Sequence, residues 1–169
     1  LLLLLENLSH ENRAALAKYA VKLGAKEARL AAVEANRNSP ELILFDRGGR
    51  RLDEVRFHPS YHGFMATSQA AGYAALAWEG RDDGHLTHAA MVYLASQVEP
   101  GHCCPLTMTY AATPALKTVD AAVSETWLPK ILSRRYDPTV RPIGEKAGAT
   151  LGMALTEKQG GSDVRTNTT

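Results

Sequence analysis

The sequence predicts a mainly α-helical fold whose character changes near residue 149. Three observations carry this reading. Apolar and alanine residues recur at helical spacing through most of the first 132 positions, cap and stop residues bound those stretches, and a single short segment is extended around a glycine turn. From Ala149 to Thr156 a compact apolar run reads instead as a strand leaving the helices, dividing the chain into a helical domain (1–148) and the start of a β-domain (149–169).

Ser9 is placed to cap a helix running to about Leu23, with Leu16, Tyr19, Ala20 and Leu23 at helical spacing and Gly24 ending it. Before it, Leu1 to Leu5 read as the buried start of a helix inside a longer protein. Glu6 stops that run well short of the roughly 20 residues of a membrane span, and no basic segment precedes it as in a signal peptide. A second, alanine-rich helix runs from Ala25 to about Asn36, where Pro40 prevents continuation. Leu42–Phe45 and the apolar positions Leu52, Val55 and Phe57 form two extended pieces around Asp46-Arg47-Gly48-Gly49, a hairpin expected to lie on the helices because an isolated one is marginal. Pro59 opens a third helix with Phe64, Met65, Ala71, Ala75 and Trp78 as its buried face. Asp82 or Asp83 caps a fourth, packed through Ala89, Val92, Tyr93 and Ser96. After Pro100-Gly101, the Cys103–Tyr110 stretch suits close helix packing. Thr113 and Pro114 read as N-cap and N1 of a short helix, and Ser124 starts another through Trp127 and Leu132.

A chain of 169 residues and 18.3 kDa, 45% hydrophobic and 22% charged, has the balance of a soluble globular domain with a core of its own. A formal net charge of +1 disfavours nucleic-acid binding through bulk electrostatics. The two cysteines, Cys103 and Cys104, are adjacent, which excludes a disulfide framework and points to a reducing compartment, the cytoplasm.

Few side chains suggest chemistry by spacing. His58 and His62, four apart, and His85 with His88 lack a third ligand, so structural roles are expected and no metal site. His102 beside Cys103-Cys104 could activate a thiolate, yet Pro105 and apolar neighbours favour buried, inert thiols. Arg47, Arg50, Arg51 and Arg56 could meet phosphate or a partner subunit, but interleaved Asp46, Asp53 and Glu54 make a solvated mixed-charge face. The strongest local signal is Thr156-Glu157-Lys158-Gln159-Gly160-Gly161-Ser162-Asp163. Consecutive glycines let backbone N–H groups approach a ligand, and Thr and Ser add hydroxyls. The same residues also fit an ordinary glycine turn capped by Asp163. They match neither a P-loop nor a dinucleotide fingerprint.

From Met153 to Asp163 the chain resembles the acyl-CoA dehydrogenase flavoprotein family, whose middle domain opens with Thr-Glu-x-x-Ala-Gly-Ser-Asp. Lys158 stands where the family usually has Pro, and Gly160 where it usually has Ala. With Arg50–Pro59, Cys104–Thr109 and Leu132–Asp137, these departures make the chain similar to the AidB-type branch, the DNA alkylation-response proteins, from about Ala25 to Thr169. The resemblance implies an N-terminal helical domain of the acyl-CoA dehydrogenase fold, ending at the first strand and loop of the central β-domain. It implies bound FAD, an acyl-CoA-type substrate and a homotetramer. By position, Met153, Ala154, Leu155 and Thr156 would contact the flavin ring, Ser162 would touch FAD and lie near the acyl thioester, and Cys104–Tyr110 would line the substrate side. The family's catalytic Glu and the branch's DNA-binding surface belong to a C-terminal domain, so no catalytic residue is assigned in this chain. A non-catalytic reading also stands: a helical scaffold or oligomerisation module of a DNA-protecting flavoprotein. A free-standing helical domain without cofactor is disfavoured by the Thr156–Asp163 segment.

Overall fold

The computed structural model describes residues 5–168. Leu1–Leu4 of the leucine run lie outside the described residues, while Leu5 packs against the core. Helices α1 (His10–Gly24), α2 (Lys26–Arg37), α3 (Pro59–Ala71), α4 (Gly84–Ser96), α5 (Cys103–Leu116) and α6 (Ala121–Ile131) surround the core, and strands β1 (Glu41–Phe45) and β2 (Arg51–Arg56) make one antiparallel hairpin. The mainly helical expectation holds. α1 packs on α4, α2 on α3, and α5 on α6. The core gathers Leu16, Tyr19, Leu23, Phe64, Met65, Tyr73, Met91 and Leu106.

Local chemistry sets the helix ends. The Ser9 hydroxyl accepts the Asn12 N–H at 3.3 Å and starts α1. Asp83 sits at the N-cap of α4 but turns its carboxylate outward to α1. One oxygen accepts the Ser9 N–H at 2.7 Å and the other the Asn12 side-chain amide at 2.7 Å, fastening two helix starts together. These bonds, that from the Ser9 N–H first, hold the Asp83 carboxyl below its ordinary range.

Several elements differ from the sequence expectation. α3 ends at Ala71 because Gly72 takes a left-handed conformation (φ 91°). A Cβ there would also lie 2.7 Å from the Arg134 guanidinium. Trp78 therefore belongs to a separate 3-10 turn, Leu76–Trp78. On α4 the inward face is Gly84, Thr87, His88, Met91 and Ala95, whereas Ala89, Tyr93 and Ser96 are exposed. The phase is set by Gly84, whose missing Cβ would sit 2.9 Å from Ala77 Cα. α5 runs unbroken through Thr113 and Pro114. Pro114 cannot donate to the Tyr110 carbonyl, and the Trp78 indole N–H does so instead at 3.1 Å. Asp120, accepting the Ala122 N–H at 2.9 Å, starts α6 ahead of Ser124.

The hairpin pairs Leu42 with Val55 and Ile43 with Glu54, with an irregularity between Ile43 and Phe45. It does not lie down on the helices as expected: Leu42, Leu44, Phe45 and Val55 are exposed. Residues 149–156 form no ladder, since β1 and β2 pair only with each other.

A hydrogen-bond chain crosses the core. The Tyr19 hydroxyl lies 2.6 Å from Ser68 Oγ, which lies 2.8 Å from His102 Nε2. His102 Nδ1 is 2.6 Å from the Glu99 carbonyl and 2.9 Å from its carboxylate. Both partners of Nδ1 are acceptors, so this nitrogen carries the proton. With a neutral ring, each group donates to the next from Tyr19 to Glu99. Burial pushes the Tyr19 phenol well above its usual range.

Ser68→Ala should leave both the Tyr19 hydroxyl and His102 Nε2 unpaired and lower the unfolding free energy by about 2–3 kcal/mol. Tyr19→Phe, which removes one end of the chain, should cost about 1 kcal/mol. Urea unfolding of the two variants checks this order, and equal losses would contradict it.

Candidate functional site

Between β2, α3, α6 and the strap of residues 136–152 lies a cleft of about 580 Å³. Phe57, Tyr61 and Met65 give it one apolar wall and Trp127 another, Gln69 reaches it from α3, and Pro105 reaches it from α5. The ring of Phe57 stacks on Tyr61 with centroids 4.3 Å apart. The His62 ring nitrogen Nδ1 meets the Tyr136 hydroxyl at 2.6 Å, and burial pushes that phenol up to about 12.

The strap is held by its own backbone and one carboxylate. Asp137 accepts the Thr139 hydroxyl at 2.5 Å and N–H at 3.0 Å, and the Ala147 N–H at 2.8 Å. These bonds, that from the Thr139 side chain first, hold its carboxyl well below the usual carboxylate range. The Lys146 ammonium donates to the Asp137 carbonyl at 3.0 Å and to the Thr139 carbonyl. The Lys130 ammonium donates to the Lys146 carbonyl at 2.5 Å. Further on, Ala149 N–H donates to the Lys130 carbonyl at 3.0 Å and Leu151 N–H to Thr109 Oγ at 3.0 Å. Only glycine fits position 148, where a Cβ would lie 2.0 Å from the Arg135 carbonyl oxygen. Asp137, Lys146 and Gln69 were not singled out as site residues from the sequence. Asp-Pro-Thr at 137–139 is a turn signal that could have flagged the strap, whereas nothing local marks Gln69.

The strap delivers the chain to Met153, Ala154, Leu155 and Thr156, all exposed beyond Gly152 at the cleft's edge. Residues 157–168 then fold on themselves. The Gly160 N–H donates to the Glu157 carbonyl at 2.9 Å, and the Thr168 N–H and hydroxyl reach the Glu157 carboxylate at 3.0 and 3.1 Å. Asp163 caps a 3-10 turn by accepting the Arg165 N–H at 3.1 Å, and Arg165 holds its carboxyl below the ordinary range. The Asp163-capped turn is thus present, and the hydroxyls of Thr156 and Ser162 are exposed and engaged in no hydrogen bond among the described residues. Two unused hydroxyls flanking a glycine pair fit the donor set that a flavin's polar edge requires.

The other candidates are structural. His58 caps α3 by accepting the Ser60 N–H at 3.3 Å, and His85 meets the Tyr110 hydroxyl at 2.8 Å. His88 stacks 3.7 Å over Tyr110 and donates to the Tyr73 carbonyl at 2.7 Å, its pKa held down by burial. No metal-binding cluster forms among the described residues. Burial pushes the Cys103 thiol up, but Cys104 is exposed, contrary to the expectation that both are buried. Arg50 pairs with Asp46 at 3.2 Å and Arg51 with Asp53 at 2.6 Å, the mixed-charge face expected. Among the described residues, no helix is long and apolar enough to cross a membrane.

The family described as the adaptive response protein AidB N-terminal domain matches residues 3–138. A curated relative in Escherichia coli (strain K12), "Putative acyl-CoA dehydrogenase AidB", is 46% identical over 156 residues, which cover 91% of this chain and 29% of that protein. The chain therefore spans less than a third of the relative's length. Among solved structures, the Bd2924 apo-form matches with a TM-score of 0.76 and 28% identity, over 93% of this chain and 31% of that one. Caenorhabditis elegans ACDH-11, solved in complex with C11-CoA, matches with a TM-score of 0.74 at 22% identity, over 95% of this chain and 27% of that one, a likeness of fold.

Because the Asp137 carboxyl is held low in the folded state, its contribution is complete above its ordinary value of 3.8 and is lost as pH falls below it. Acidification through that range should loosen the strap, and Asp137→Ala should loosen it at neutral pH. Hydrogen exchange at the Ala147 amide is the check: unchanged protection in the variant would contradict this role.

Proposed function

Because the chain belongs to the AidB N-terminal domain family, we propose that residues 1–148 are the N-terminal helical domain, and residues 149–169 the opening of the middle β-domain, of an FAD-dependent acyl-CoA dehydrogenase-like oxidoreductase of the AidB type. The observation that carries the reading is the pair of exposed, unpartnered hydroxyls at Thr156 and Ser162, on a segment that leaves the edge of an apolar, aromatic-walled cleft. Met153, Ala154, Leu155 and Thr156 would lie against the flavin ring, with Thr156 and Ser162 donating hydrogen bonds to its polar edge and Ser162 beside the acyl thioester. FAD, when bound, supplies a two-electron acceptor. Phe57, Tyr61, Met65, Pro105 and Trp127 exclude water from the acyl group and orient it. No residue of this chain takes the role of catalytic base: the cleft's carboxylate, Asp137, is occupied by its own strap.

The whole protein would oxidise acyl-CoA by α-proton abstraction and hydride transfer, serve the response to DNA alkylation damage, and work in the cytoplasm as a homo-oligomer. DNA contact would come from its C-terminal domain. In a second reading, the fold is kept as a scaffold and flavin is bound without turnover. Anaerobic mixing of the full-length protein with a branched short-chain acyl-CoA separates the two, since bleaching of the flavin near 450 nm, roughly where oxidised flavins absorb, rejects the scaffold.

In the full-length protein, Thr156→Ala/Ser162→Ala should weaken flavin retention by about tenfold or more, each lost hydroxyl costing about 1 kcal/mol. The ratio of flavin to protein absorbance after purification measures it. Retention at the wild-type level would reject the site assignment.

A further inference from the structure

We propose that β1 is a docking edge for a second copy of this chain. The two β1 strands pair antiparallel across a twofold axis at Ile43 and join two hairpins into one four-stranded sheet. The inference rests on the homo-oligomer proposed for the whole protein, to which it assigns a surface, and on nothing about flavin or acyl-CoA.

Each strand of a two-stranded hairpin keeps one edge unpaired. Among the described residues β1 and β2 pair only with each other, and no backbone group of residues 41–45 bonds outside the hairpin. Leu42, Leu44 and Phe45 are 59%, 46% and 55% exposed. A hairpin left on its own is marginal, and further strands are what stabilise such a ribbon.

The two edges are not equivalent. Between the pairs Ile43–Glu54 and Phe45–Arg51, β1 advances two residues and β2 three, so the extra residue lies on β2. Asp53 stands there with a left-handed φ of 52°, and its carboxylate takes Arg51 at 2.6 Å. Bulges and charges are the devices that keep edge strands from pairing, and β2 has both. From Leu42 to Phe45, β1 has no extra residue, no charge and no proline. It is the edge left open.

The occupant follows from the sequence of that edge. Leu42-Ile43-Leu44 reads the same in both directions. Antiparallel pairing about Ile43 sets Leu42 opposite Leu44 of the second copy, Leu44 opposite Leu42, and Ile43 opposite its counterpart. A twofold contact requires such self-complementarity. The same register sets Glu41 opposite Phe45 of the second copy, at the end where that copy's turn carries Arg47. Neither Glu41 nor Arg47 has an ion pair or side-chain hydrogen bond among the described residues, so opposite charges come together at both ends of the paired strands.

The test uses the full-length protein. Leu42→Lys/Leu44→Lys sets like charges opposite each other in two pairs, whereas Leu42→Lys/Leu44→Glu sets opposite charges there. Both variants change exposed side chains only, and thermal melting confirms that they fold. In sedimentation equilibrium the first should dissociate about tenfold more readily than the second, two repulsive pairs standing against two attractive ones. Directly opposed residues of antiparallel strands lie about 4.5–5.5 Å apart, within disulfide reach. Ile43→Cys in a Cys104→Ser background should therefore give a disulfide-linked dimer on mild oxidation that the background alone does not. An assembly weakened equally by both charge variants, or by neither, overturns the pairing and leaves the homo-oligomer standing, with the edge given over to another stretch of the longer chain. Absence of the disulfide-linked dimer does the same. A monomeric wild type overturns the homo-oligomer and this inference together.

Discussion

The rest of the helical domain depends on one buried hydrogen-bond chain, Tyr19–Ser68–His102–Glu99. It joins α1, α3 and the residues that open α5, three elements separated by up to 83 positions in sequence. Burial of apolar area is non-directional and does not by itself specify which polar groups meet across these helices. Hydrogen bonds of 2.6–2.9 Å among buried groups do specify it. Shifting any helix by a fraction of a turn would orphan a hydroxyl or an imidazole in a medium that penalises it heavily. Glu99 extends the constraint by accepting the Gly101 and His102 backbone N–H groups, which anchors the start of α5. Through α5, the chain also governs the cleft: Pro105 lines it, and Thr109 receives the Leu151 N–H.

The geometry of Ser68, His102 and Glu99 is that of a nucleophile, a base and an orienting carboxylate. Burial decides against that chemistry. Ser68 and His102 are wholly inaccessible, so no substrate carbonyl can reach the hydroxyl. The same side chains at a surface would be read as an active site. Here the arrangement stores specificity of packing.

Much of the helical architecture was legible because caps and stops are local. Ser9, Gly24, Pro40 and Pro59 each act within a few residues of themselves, and the structure uses all four boundaries. The errors arose where long-range contacts decide. The face of α4 could not be phased from Ala89-Ala90-Met91-Val92, which is apolar all round, and a backbone contact between Gly84 and Ala77 settles it. Pro114 reads as a helix start because the sequence cannot show that Trp78, 36 positions earlier, supplies the missing donor. The candidate site divides the same way. The glycine loop was visible as a motif, whereas Gln69 is an ordinary polar residue among alanines until the fold brings it to the cleft.

The division of labour within the cleft follows from where charge is tolerated. Asp137 and Lys146 are both held near its wall, yet each is consumed by the strap, through the Thr139 and Ala147 donors for the acid and two backbone carbonyls for the base. Freeing either for proton transfer would release the backbone that shapes the cleft. Both charges therefore serve to shape the cleft, whose aromatic wall also carries the His62–Tyr136 hydrogen bond. Under the proposed reading, this chain would give shape, desolvation and the hydroxyl donors of Thr156 and Ser162. On the same reading, the proton acceptor would come from another part of the whole protein.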